Sequence, residues 1–105
     1  MCWALEADTS PTYKLFALSS NGVARPALLR VQEWGTSVQG EVWAVPLQEL
    51  GGFVCGVAAP LCIGWVALRT GEAVMGLTCE AAGIEGASDI SAFGSWRQYL
   101  AQGAG

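Results

Sequence analysis

The chain of 105 residues contains no histidine, a single lysine (Lys14) and only 13% charged residues, about half the usual share. Each scarcity closes off a class of function. Without histidine there is no Ser-His or Cys-His pair to activate a nucleophile. A zinc site is equally remote, because the four cysteines (Cys2, Cys55, Cys62, Cys79) show no C-x-x-C spacing. No metal site is expected. The chain has no G-x-x-x-x-G-K-[ST] loop, no G-x-G-x-x-G after a strand and no G-x-S-x-G elbow, so no cofactor is expected either.

Positive charge is thin and scattered. Lys14, Arg25, Arg30, Arg69 and Arg97 form no stripe, and the net charge is −4. Nothing here neutralises a run of phosphates, which excludes nucleic acid as a partner and disfavours an anionic membrane surface. The run from Leu50 to Leu68 has no charge over nineteen residues and nominally meets the length of a membrane span. Pro60 near its middle and four glycines argue against a spanning helix. Glu6 and Asp8 stand where a signal peptide would need an apolar stretch. The expectation is a cytoplasmic protein with reduced thiols.

Apolar residues make up 52% of the chain. That suits one domain over residues 1–105 with a core of its own. So much apolar and so little charged surface also points to a subunit contact, hence a homodimer or higher homo-oligomer.

The pattern along the chain predicts strands at 12–18 (TYKLFAL), at 26–32 (PALLRVQ, with Pro26 at its start) and at 37–45 (SVQGEVWAV), with a turn at SSNG between the first two. On the third strand Gln39, Glu41, Trp43 and Val45 share one face, mixing a carboxylate with an indole as a pocket wall would. Glu41 is either desolvated there or simply turned to solvent. Together with Tyr13 and Pro60, Glu41 and Trp43 make up the candidate set for a small polar ligand. Residues 46–56 predict a short helix opened by Pro46 and weakened by Gly51 and Gly52. Residues 62–79 predict a hairpin about a two-residue Thr70-Gly71 turn, which would set Arg69 opposite Glu72, Trp65 opposite Gly76 and Cys62 opposite Cys79. Finally, DISAFGSWRQYL (89–100) predicts a docking helix capped by Asp89 or Ser91, with Phe93, Trp96 and Leu100 on its inner face.

The segments GEVW, APLCIG and above all DISAFGSWRQYL resemble the C-terminal domain of allophanate hydrolase, and the similarity runs from about Glu6 to Ala101. The resemblance implies an α+β fold of the γ-glutamylcyclotransferase-like type, a mixed β-barrel with short helices. In allophanate hydrolase an amidase domain removes ammonia from allophanate. The C-terminal domain is associated with decarboxylating the resulting N-carboxycarbamate or with holding the assembly together. The setting is urea and s-triazine nitrogen catabolism, so a separate amidase subunit is an implied partner. The family's opening strand and Gly-Ala-His-Leu-type loop, which supplies a histidine to its pocket, have no counterpart in MCWALEA. The expectation is therefore a stand-alone ligand-binding or assembly module; the alternative is an enzyme subunit of carbamate or amide metabolism completed by an amidase.

Overall fold

The computed structural model describes residues 3–20 and 23–103. Among these residues seven strands and two α-helices follow one another as β1 (Trp3–Asp8), β2 (Tyr13–Ser20), β3 (Val23–Arg30), β4 (Gln39–Ala44), α1 (Leu47–Cys55), β5 (Leu61–Ala67), β6 (Ala73–Cys79), β7 (Ser88–Asp89) and α2 (Trp96–Gly103). The architecture is α+β. The strands form three antiparallel sheets, β1-β4, β3-β2-β7 and β5-β6. Single bridges at Thr9–Leu68 and Tyr13–Thr36 tie them together, and the sheets do not close on one another.

The central sheet organises the core because β2 is apolar on both faces. Tyr13 and Leu15 look to one side, where they meet Val38, Val66 and Ile90. Phe16 looks to the other, where it meets Ala27 and Cys79. A strand buried on both faces loses the usual alternation, and YKLFAL shows that loss in its sequence. Tyr13 has no solvent exposure, and its hydroxyl accepts the Ala67 N–H at 2.9 Å, so β2 is bonded as well as packed to β5.

Several expectations are corrected. Residues 3–8 form a strand that the sequence reading did not assign. Pro26 lies inside β3, opposite Ala17, and not at the start of the strand. It is tolerated because β3 is an edge of its sheet, where a missing N–H can face outward. Of the expected SSNG turn, Asn21 and Gly22 lie outside the described residues. The uncharged run 50–68 divides between α1 and β5, and no helix among the described residues is long and apolar enough to cross a membrane.

The β5–β6 hairpin is shifted by one residue from the expected register. The Leu68 carbonyl accepts the Gly71 N–H at 3.0 Å and the Leu68 N–H donates to the Glu72 carbonyl at 2.7 Å. The loop therefore holds Arg69, Thr70 and Gly71, with Gly71 at φ 97°, the left-handed position such three-residue loops require. Trp65 faces Met75, Gly64 faces Gly76, Cys62 faces Thr78, and Cys79 faces Leu61. Gly76 is covered by Val66 instead of Trp65: a Cβ there would come within 2.9 Å of Val66 Cγ2. Arg69 sits in the loop and pairs with Asp8 at 3.8 Å, not with Glu72. Cys62 Sγ lies 3.2 Å from the Thr78 hydroxyl. Burial, then the neighbouring Cys62 thiol and Glu80 carboxylate, push the Cys79 thiol above its ordinary value, which lowers its thiolate fraction.

The C-terminal segment is two pieces, not one helix. A short 3-10 turn at Ser91–Phe93 ends on Gly94 at φ 81°, a left-handed break that L side chains resist. The helix proper begins after Ser95, whose buried Oγ accepts the Gln98 N–H at 3.1 Å as an N-cap. Phe93 and Leu100, expected on the inner face, are exposed. The residues that pack on the core are Trp96 and Tyr99, their rings 5.2 Å apart.

Candidate functional site

The backbone of β4 brings α2 into place. Its Gln39 N–H donates to the Gly94 carbonyl at 2.8 Å, and Gln39 bridges Ser95, so the first turn of α2 starts on the β4 edge. Between helix and strands lies an open groove of about 500 Å³. Glu41 and Trp43 point into it from β4, Glu6 from β1, and Trp96, Arg97 and Leu100 from α2.

Charge organises this groove. Glu6 and Glu41 are directly opposed across β1–β4, an arrangement in which like charges destabilise a strand pair. Arg97 answers it by reaching both, at 3.8 Å to Glu6 Oε1 and 3.4 Å to Glu41 Oε1. Its side chain remains 73% exposed, so the guanidinium stays open to water while paired with both carboxylates. Trp43, two residues along from Glu41, is 56% exposed and offers an indole surface at the groove wall. Nearby, past Glu6, Asp8 and Arg69 line a second shallow depression.

Of the four residues singled out by sequence, two meet here and two do not. Glu41 and Trp43 line the groove, with Glu41 turned to solvent and ion-paired. Tyr13 is a core residue. Pro60, at a cis peptide bond after Ala59, packs against Gly83 beside β6. Neither lines the groove. Sequence reasoning missed Glu6 and Arg97: Arg97 reads as the outer face of a helix until β1 is known to set a second carboxylate beside Glu41. The signal was available in the polar alternation of WALEAD, where Glu6 and Asp8 share one face.

The groove offers a guanidinium paired with two carboxylates, and an exposed indole. Such a set can bind a small planar ligand bearing both N–H donors and a carbonyl or carboxylate. Nothing within it pairs a nucleophile with a base, and no cluster of three or more metal-ligating side chains occurs among the described residues.

Comparison with known proteins agrees with this architecture. The chain matches the family described as allophanate hydrolase C-terminal domain over residues 2–101. It is 42% identical over 96 residues to urea amidolyase of Saccharomyces cerevisiae, covering 88% of this chain and 5% of that protein. Among solved structures, allophanate hydrolase of Kluyveromyces lactis superposes with a TM-score of 0.89 at 39% identity, covering 96% of this chain and 17% of that one. The uropathogenic E. coli-specific protein c4763 superposes with a TM-score of 0.82 at 34% identity, covering 95% of this chain and 77% of its own. The chain thus spans only a small part of the curated relatives it matches, yet most of one solved protein. It belongs to the allophanate hydrolase C-terminal domain family.

Proposed function

We propose that this chain is a non-hydrolytic module of urea nitrogen metabolism whose groove holds a small ureido or carbamoyl ligand. The observation that carries the reading is Arg97, suspended between Glu6 and Glu41 with its guanidinium still largely exposed beside Trp43. The guanidinium takes the ligand's carboxylate or carbonyl, the glutamates accept its N–H groups, and the Trp43 ring covers its planar face. An amidase working with this domain supplies the hydrolytic step. What supports this partner is that the related domain forms 5% of urea amidolyase and 17% of allophanate hydrolase. A finer kinship with γ-glutamylcyclotransferase-like barrels belongs to the same reading, supported by the bridges that link neighbouring sheets. So does a cytoplasmic setting, supported by the free thiols of Cys55, Cys62 and Cys79. The test is calorimetric titration with ureides, simple carboxylates and dipeptides. Ureides should bind to the native protein and lose at least tenfold in affinity in Arg97→Ala, the loss expected for a charge-assisted bond. Equal affinity in both proteins refutes the groove as the site.

A further inference from the structure

Strand β5 ends the hairpin as an edge. Among the described residues it pairs with β6 on one side only, and alternation along the strand turns the backbone groups of Leu61, Ile63, Trp65 and Ala67 to the other. Ala67 fixes the phase, since its N–H donates to the Tyr13 hydroxyl and its carbonyl accepts the Ser10 N–H, both at 2.9 Å. Two further groups are engaged: the Leu61 N–H donates to the Ala58 carbonyl at 3.0 Å, and the Trp65 carbonyl accepts from the Arg30 guanidinium at 3.5 Å. The Leu61 carbonyl, both groups of Ile63 and the Trp65 N–H have no backbone partner among the described residues.

The side chains beside this edge are equally unguarded. Trp65 is 63% exposed, with Met75 opposite at 52%, and Leu77, opposite Ile63, at 41%. Neither β5 (LCIGWVA) nor β6 (AVMGLTC) contains a charged residue or a proline, the usual protections of a strand edge.

We propose that β5 pairs antiparallel with β5 of a second copy of this chain about a two-fold axis at Ile63, forming a continuous four-stranded sheet β6-β5-β5-β6. This register matches open groups to open groups. Each Ile63 N–H meets the Ile63 carbonyl of the other copy, and each Trp65 N–H meets the other copy's Leu61 carbonyl. The engaged groups, the Leu61 N–H and the Trp65 carbonyl, fall opposite each other and are not called upon. On the apolar face Ile63 meets Ile63, and Trp65 meets Leu61. Neither strand brings a charged residue of its own into this contact. The same axis turns Arg30, held on the Trp65 carbonyl, toward the other copy's Leu61 end, where the exposed Glu80 donates its N–H to the Pro60 carbonyl beside Leu61. The assembly uses a surface away from the groove and stands whether or not the groove binds a ureide.

Light scattering together with amide hydrogen exchange on the intact chain tests the pairing. The mass should be that of two chains at tens of micromolar, falling to one on dilution, with the Ile63 and Trp65 amides exchanging about tenfold more slowly or better in the dimer. Trp65→Lys, a change at an exposed side chain, should yield a folded single chain at the same concentration. A single-chain mass throughout, a dimer whose Ile63 and Trp65 amides exchange independently of concentration, or a dimer retained in Trp65→Lys overturns the proposal. Exchange on the unaltered protein decides the matter even where the variant does not fold.

Discussion

Replacing Tyr13 with Phe separates a core role from a ligand-binding one by a single oxygen. The Tyr13 ring has no solvent exposure, and its hydroxyl is the acceptor for the Ala67 N–H at 2.9 Å. Phe keeps the ring and its packing against Leu15, Val38, Val66 and Ile90. It removes the acceptor and strands the Ala67 N–H beside a phenyl edge. Ala67 is partly buried, and leaving such a donor unsatisfied costs toward the lower end of about 1–3 kcal/mol. A domain of this size loses roughly 4–8 °C in Tm per kcal/mol, so a clear shift is expected. Urea denaturation followed by tryptophan fluorescence measures it: the midpoint should fall while the slope m, which reports surface exposed on unfolding, stays constant. An unchanged midpoint would mean that the Ala67 N–H finds another partner, and that Tyr13 does not tie β2 to β5 as described.

Other outcomes follow from the same structure. Ser95→Ala removes the N-cap of α2 and should cost about 1 kcal/mol, read as a lower urea midpoint, whereas Ser95→Thr should retain much of the cap. Trp96→Ala should cost toward the lower end of about 3–5 kcal/mol, since the ring is half-buried on the core, against roughly 0.5 kcal/mol for the exposed Gln98→Ala; equal midpoints would mean that α2 does not seal the core. Hydrogen bonds from the Ser91 side chain and backbone, assisted by Lys14, hold the Asp89 carboxyl below its ordinary value of 3.8. A depressed folded-state pKa stabilises the protein above the ordinary value and ceases to do so as pH falls through the folded one. The stability gap between the native protein and Asp89→Asn should therefore be full near neutral pH and close as the pH is lowered below about 3.8, as acid-dependent urea melts would report.

Periodicity made β2, β4, α1 and the existence of the β5–β6 hairpin readable, because each carries its pattern within its own residues. The hairpin register did not follow, because Thr70-Gly71 serves equally as a two-residue turn and as the end of a three-residue loop. Gly71 at φ 97° selects the longer loop, and one added residue moves Cys62 from Cys79 to Thr78. The C-terminal helix was misread for a related reason. Ser91, Ser95 and Gly94 each carry helix-boundary chemistry, and only the left-handed backbone at Gly94 shows that the helix starts at the second serine. The groove was half legible. Glu41 and Trp43 share a strand face and so declare themselves together. Their partners Glu6 and Arg97 lie 35 and 56 positions away, joined to them by strand pairing and helix docking that no local pattern encodes.

The proposal of a non-hydrolytic binding module is tested most directly by ammonia release. Purified protein incubated with allophanate near neutral pH should yield ammonia at the rate of buffer alone, since the chain has no histidine and its groove pairs no nucleophile with a base. Release that rises in proportion to protein concentration, and disappears in Arg97→Ala, would place hydrolytic chemistry in the groove and contradict the account.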